Sequence, residues 1–311
     1  MKKLTIITPC FNEEHNVVIC AEAVRKVMNN QLKDFDYEHI FADNASTDST
    51  AKKLRVMASE DPKIKIIINS RNVGPFRNVW NALKSASGNA IIPFLPADLQ
   101  DPGDVIPEFV KRWEHGDLVV YGVRTKRQES WFMRSTRNIY YRVISHFAEA
   151  DIPRNAGEFL LADKRVIDSI LEVDDAYPYI RGLVAQTAVR SSFVEYRWAK
   201  RSNGKSRLRF VDLIDQGING FVSTSRMPAR LTLLAGFSMA FLGIVGALIT
   251  LILVIFGDKS ITPGIPTIIV SIFVFGGVQL FFLGLIGEYV LSIHGQVRRI
   301  PSMFEVEKIN F

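Results

Sequence analysis

With 311 residues and 48% hydrophobic content, the chain can build one large domain or two ordinary ones and is too apolar to be mostly disordered. Its two cysteines, Cys10 and Cys20, and its five histidines lack metal-ligand spacing, which argues against a zinc site and for reduced thiols in a reducing compartment. The net charge of +6 is concentrated in Arg197, Lys200, Arg201, Lys205, Arg207 and Arg209, an acid-free patch just ahead of the most apolar part of the chain, where headgroups or a lipid phosphate are nearer partners than nucleic acid.

Met1-Lys2-Lys3 and the apolar run behind them do not make a signal peptide, because Pro9 and Glu13-Glu14 cut the run short; the segment is a first strand. Strands are expected at 4–8, 37–43, 64–69, 90–95 and 118–122, with helical stretches between them. That alternation predicts an α/β fold, a mostly parallel sheet wrapped by helices, with functional loops at the carboxyl ends of the strands. From 124 to 205 the pattern is less regular, punctuated by Pro153, Gly157 and Pro178, and this half is expected to carry the acceptor side of a cleft. Residues 1–205 thus form the predicted cytoplasmic catalytic domain.

Phe210, Leu213, Ile214, Gly217, Ile218 and Phe221 recur at helical spacing, which predicts amphipathic juxtamembrane helices over 206–229; a helix packed on the soluble domain has the same periodicity. The stretches 231–257 and 260–287 carry no charged residue, so a transmembrane hairpin is expected over 230–293, with spans at about 231–256 and 266–291. Arg226 and Arg230 precede it and Arg298 and Arg299 follow it, which orients both termini to the cytoplasm and leaves 294–311 as a cytoplasmic tail.

Three clusters at strand ends carry the chemistry. The first is Thr8-Pro9-Cys10-Phe11-Asn12-Glu13-Glu14, where the backbone is expected to turn into a helix whose free N–H groups face an anion. In the second, Asp43-Asn44-Ala45-Ser46-Thr47-Asp48, Asp43 can accept from a base N–H and Ser46 or Thr47 can cap the next helix. A capped helix start would also account for either cluster taken alone. In the third, Ala97-Asp98-Leu99-Gln100-Asp101-Pro102, Asp98 and Gln100 would project to one side of an extended strand end and offer hard oxygen ligands to Mg²⁺ or Mn²⁺, while Asp101-Pro102 reads as a helix cap and first turn.

In order and spacing, TPCFNEE (8–14), DNASTD (43–48), SRNVG (70–74), ADLQDP (97–102), NAGEFLLADKRVID (155–168), RGL (181–183) and the apolar hairpin resemble the polyprenyl-phosphate glycosyltransferases of glycosyltransferase family 2, the dolichol-phosphate-mannose-synthase-like group. The resemblance spans essentially the whole chain. It implies a GT-A fold and an integral membrane enzyme that moves a sugar, with inversion, from a nucleotide-sugar, usually a UDP-sugar, to a polyprenyl phosphate such as undecaprenyl phosphate. Homo-oligomers are a further expectation of the family. The resemblance assigns Pro9, Phe11, Asn12, Glu13, Asp43, Asn72 and Asp98 to the nucleotide-sugar and Asp98 with Gln100 to the metal. Arg124 with Arg134 or Arg137 falls to the acceptor phosphate. Glu158 stands where many relatives have the aspartate of Gly-Asp-Phe, and with Asp98 it takes a catalytic role. Many relatives have an acid in place of Pro96 and an arginine in place of Leu160, and Pro75 and Phe76 also depart from the pattern. These departures leave open a different lipid-linked or glycan acceptor, or a catalytically silent membrane scaffold.

Overall fold

The computed structural model describes residues 1–125, 156–173, 175, 178–187, 189–199, 265–297 and 304–311, with isolated positions at 236, 238, 241, 245 and 252. Arg134, Arg137, the segment 206–229 and, apart from those isolated positions, the expected first span 231–256 lie outside the described residues. The chain divides into two compact units, Met1–Asp215 with Arg299–Phe311, and Gln216–Arg298.

The first unit opens with β1 (Lys2–Cys10), α1 (Val17–Gln31), β2 (Phe35–Asp43), α2 (Thr50–Glu60), β3 (Ile64–Asn69), α3 (Pro75–Leu83) and β4 (Ala90–Ile92). A 3-10 turn at Gly103–Val105 leads into α4 (Ile106–Glu114), followed by β5 (Val119–Arg124), β6 (Ala156–Asp163), α5 (Lys164–Leu171), α6 (Ile180–Gln186) and β7 (Ser191–Tyr196). β8 (Glu305–Ile309) comes from the far end of the chain. The strands form one sheet in the order β7-β5-β6-β4-β1-β2-β3-β8. The β1–β2, β1–β4, β2–β3 and β5–β7 pairings are parallel, while β6 runs antiparallel to β4 and β5, and β8 antiparallel to β3. The chain therefore forms the expected mostly parallel α/β, GT-A-like sheet.

Side-chain alternation along the strands explains how helices cover both faces. Ile6 and Ile92 join α1 and α4 in one apolar cluster through Val24, Phe109 and Val110, whereas their neighbours Ile7 and Ile91 join α3 and α5 in another through Val79, Leu83 and Ile167. Burial of both faces is why β2 is fully buried from Tyr37 to Asp43 and reads as a continuous run rather than an alternating one. β4 stops at Ile92 instead of running to 95, because Pro93 has no N–H to donate; Leu95 N–H still reaches the Ile7 carbonyl at 2.8 Å.

At the amino end of the sheet, Glu38 of β2 is 1% exposed. Lys3 and Lys65 approach it at 2.8 Å each, the Thr5 hydroxyl donates at 2.6 Å, and Ser87 donates through its N–H at 2.7 Å and its hydroxyl at 2.8 Å. Burial alone would raise this carboxyl, but the bonds from Lys3, Lys65 and Thr5 outweigh it and hold the group at about 2. Gly88 follows Ser87 in the turn before β4, and a Cβ there would lie 2.6 Å from the Thr5 nitrogen and 2.7 Å from its Oγ1. Gly88→Ala should therefore lower the unfolding free energy by about 1–3 kcal/mol or more through overpacking against backbone. A thermal midpoint equal to wild type would show that the turn yields instead.

The residues read as a cytoplasmic tail form β8 on the open edge of β3. Ser70 N–H donates to Phe304 O at 2.8 Å, Arg55 grips Glu307 through Nε at 2.9 Å and Nη2 at 2.6 Å, and Asn81 donates to Glu305 at 2.7 Å. β8 thereby covers an edge that would otherwise invite pairing with another chain. In the second unit, α7 (Ile265–Val297) contains the expected second span and includes a window, Val274–Leu291, of mean hydropathy 1.7. It is long and apolar enough to cross a membrane.

Candidate active site

Parallel pairing puts the carboxyl ends of the central strands at one level, with Cys10 opposite Asp43 and Asp43 opposite Ile68. The loops leaving β1 and β2 are then bonded to each other. Asn12, held at a φ of 56°, accepts from Thr47 N–H at 2.7 Å through its Oδ1 and donates its own N–H to the Ser46 hydroxyl at 2.9 Å. Glu13 N–H donates to Thr50 Oγ1 at 2.9 Å. These N–H groups are thus engaged by the second loop and do not face an anion as expected, and α1 begins only at Val17 after an intervening turn in which Glu13 O accepts from Asn16 and Val17.

Ser46 and Thr47 also do not cap α2. Ser46 instead donates to Asp43 through its hydroxyl and, at 3.2 Å, through its N–H, while α2 starts after Ser49, which makes no side-chain capping bond, and Asp48 accepts from Thr50 N–H at 2.9 Å. Ser46 thus ties Asp43 to the Asn12 loop. Asp43 is fully buried; burial raises its pKa, and the Ser46 bonds oppose that rise. The third loop joins through amides, since Asn44 donates to Asn72 Oδ1 at 2.8 Å and accepts from Val73 N–H at 2.9 Å. Gly74 needs its missing side chain here, because its φ of 85° lies in the left-handed region while its N–H donates to Asn72.

Asp98 and Gln100 follow β4 but are not on an extended strand end. Leu99 adopts a φ of 53°, its N–H bonds Pro96 O at 3.1 Å, and Gln100 N–H donates to Asp98 Oδ1 at 3.2 Å, so the two side chains are set around a tight turn. Both remain partly exposed. No group of three or more His, Cys, Asp or Glu that could hold a metal occurs among the described residues. A carboxylate and an amide still suit a hard divalent cation that takes its remaining oxygens from a ligand and water.

Asp101 does not cap a helix. It is 2% exposed and receives Arg124 Nε at 3.0 Å, Arg124 Nη2 at 2.8 Å and the Tyr196 hydroxyl at 2.5 Å. Arg124 ends β5 beside Gly157, with its guanidinium 5.1 Å from the Trp198 ring centroid. Glu158 on β6 pairs with Arg181 of α6 at 3.6 Å. Arg181 is steadied by the Tyr179 hydroxyl at 3.0 Å and by Ala156 O. Burial raises the Glu158 carboxyl, with Arg181 and then Arg124 acting in the opposite direction. Leu160, where the resemblance implied an arginine in many relatives, is fully buried in the apolar cluster with Tyr121 and Ile167, so its side chain belongs to the core. The Arg181–Glu158 and Arg124–Asp101 pairs were not legible in the sequence, although the RGL segment had marked Arg181.

Residues 5–171, which include every described candidate residue, match the family described as Glycosyl transferase family 2. An uncharacterised glycosyltransferase of Bacillus subtilis, YkcC, is 34% identical, with 98% of this chain and 93% of that protein covered. An uncharacterised glycosyltransferase of Synechocystis is 32% identical over 96% of this chain and 93% of that protein. The SfII prophage-derived bactoprenol glucosyl transferase of Shigella flexneri is 29% identical over 96% of each.

Proposed function

The chain belongs to glycosyl transferase family 2, and from that premise we propose that it transfers a sugar from a UDP-sugar to a polyprenyl phosphate at the cytoplasmic face of a membrane. The observation that carries this reading is the end-to-end similarity to bactoprenol glucosyl transferases, which runs through the apolar carboxyl-terminal part as well as the catalytic unit. An acceptor confined to the bilayer suits a chain that carries the 33-residue apolar helix α7.

In this reading the lipid phosphate, anionic at neutral pH, attacks the anomeric carbon as the bond to the nucleoside diphosphate breaks, with inversion. Positioning matters more than strong base catalysis. Asp43 accepts from the base, and the loops of Pro9, Phe11, Asn12, Glu13 and Asn72 shape its surroundings. Arg124, with Arg134 or Arg137, holds the acceptor phosphate. Glu158, on β6 with its carboxyl raised by burial, takes a role near the acceptor in this reading. Asp98 and Gln100 would hold Mg²⁺ or Mn²⁺, which when bound neutralises charge on the departing diphosphate.

Incubating the purified full chain with a panel of nucleotide-sugars and undecaprenyl phosphate, and weighing the lipids by mass spectrometry, tests the reading. A hexose added to the lipid phosphate is the expected product. Transfer only to a preformed glycan would overturn the acceptor assignment, and binding of nucleotide-sugars without turnover would favour a silent scaffold.

The hairpin at 230–293, with an outward turn near Asp258–Pro266, predicts a labelling pattern. Cys10 and Cys20 are both buried, so a thiol introduced as Ser260→Cys or Ser302→Cys would be read against a quiet background. An impermeant reagent added from outside the cytoplasm should label position 260 and not 302, and the reverse pattern would invert the topology.

A further inference from the structure

We infer that Asp101 is a positioning residue for sugar transfer, holding Arg124 so that one edge of its guanidinium faces the acceptor phosphate and tying that arginine to the turn that carries Asp98 and Gln100. The inference deepens the acceptor reading above and rests on it.

The geometry leaves Arg124 little freedom. Nε and Nη2 form a two-point grip on the Asp101 carboxylate at 3.0 and 2.8 Å, and the Tyr196 hydroxyl, which donates to Asp101 at 2.5 Å, also accepts from Nε at 3.2 Å. Trp198 lies over the guanidinium. Gly157 has no positive φ to explain it, but a Cβ there would stand 3.3 Å from Nη2 and 3.4 Å from Cζ, so the glycine leaves room for the arginine. Nη1 donates to no described residue in a hydrogen bond. An anion therefore meets Arg124 through the Nη1 edge, and its two-point fork is already taken by Asp101.

The same contacts register Arg124 against the proposed metal turn. Asp101 is the next residue after Gln100, and Gln100 O accepts from Ala199 N–H at 2.9 Å, just beyond β7. One buried carboxylate thus connects β5, β7 and the turn after β4. Reacting atoms must be held within about 3–3.5 Å, and a displacement of about 1 Å can cost on the order of 10²-fold in rate. Asparagine at 101 keeps the shape but loses the charge and turns an N–H₂ group towards donors, which releases the guanidinium.

The test compares wild type, Asp101→Asn, Arg124→Ala, their double variant and Tyr196→Phe as full chains in detergent. Undecaprenyl phosphate binding without donor, its KM, UDP binding and the thermal midpoint are all measured. Asp101→Asn should raise the acceptor Kd and KM by roughly tenfold, the size of one charge-assisted contact, and leave UDP binding within about twofold. Adding it to Arg124→Ala should change the acceptor constants no further. Tyr196→Phe, which removes the hydroxyl's bonds to Asp101 and Arg124 but no charge, should shift them in the same direction by less, and it serves where the aspartate variant fails to fold. Unchanged acceptor constants in both Asp101→Asn and Tyr196→Phe, or losses that multiply in the Asp101→Asn/Arg124→Ala double variant, would overturn the positioning role. Absence of undecaprenyl phosphate binding by wild type would instead overturn the acceptor reading, and this inference with it.

Discussion

Asp98→Asn is expected to reduce sugar transfer by on the order of 10²–10³-fold or more, the scale at which a single electrostatic contact to developing charge is lost. The described residues offer no cluster of three acids, histidines or cysteines, so the side-chain charge at the turn after β4 rests on Asp98, with Gln100 supplying a neutral oxygen. Pro96, in the place of a second acid, cannot compensate, because its side chain has no ligand atom and its carbonyl already accepts from Leu99. With so few protein ligands, Mn²⁺ should bind weakly alone and more tightly with uridine diphosphate, whose oxygens complete the shell. Titrating Mn²⁺ with and without the nucleotide reads this apart from turnover. Asp98→Asn should abolish the nucleotide-dependent gain, and full metal-dependent activity in that variant would sink the assignment.

The second large effect is on stability in acid. His39 is 1% exposed in β2, with Nε2 2.8 Å from the Thr8 hydroxyl and its ring 4.1 Å from that of Phe41. Burial penalises the imidazolium and lowers its pKa from 6.5 to about 3. Between those values the unfolded chain binds a proton that the folded chain refuses, so stability falls as pH drops below 6.5 and goes on falling until about 3. The loss reaches about 2 kcal/mol by pH 5 and, as an upper bound, about 5 kcal/mol near pH 3. Glu38 acts in a lower window. Its depressed carboxyl stabilises the fold above 4.5, and that contribution is lost as pH falls towards about 2. For a unit of this size the drop by pH 5 corresponds to roughly 4–8 °C in thermal midpoint. His39→Leu should start less stable, because Thr8 loses a partner, yet show a flatter midpoint between pH 7 and 5. An identical slope in the variant would assign the acid response to other groups.

Leu160 and Asp101 show two ways in which sequence position and role diverge. The family resemblance marked Leu160 as a departure that left the acceptor open, but its side chain is core: it packs in the apolar cluster on the same strand face as Glu158, two residues nearer the start of β6, where Glu158 meets Arg181. By local pattern Asp101-Pro102 looked like a helix cap. The competing partner was an arginine 23 residues on, and no local signal marks such a pair. Ser46 and Thr47 fail to cap α2 for the same reason: the first loop, more than thirty residues earlier, engages the Ser46 hydroxyl and both the N–H and the hydroxyl of Thr47 through Asn12, and Asp43 takes the Ser46 N–H.

The sequence by itself determined the strand and helix alternation, the apolar stretch that became α7 and the placing of Asp43, Asp98 and Arg124 at or just beyond strand ends, because each depends on periodicity or turn chemistry within a few residues. Only the tertiary structure decided which groups meet. The Asn12–Ser46–Asp43 chain and the Arg124–Asp101–Tyr196 grip depend on strands running the same way that bring distant loops to one edge, and the Arg181–Glu158 pair on α6 packing against the antiparallel β6. β8 is the extreme case. Its short, charged run shows little strand signal of its own, and it becomes a strand because the open edge of β3 supplies backbone partners and Arg55 supplies a counter-charge 252 residues away.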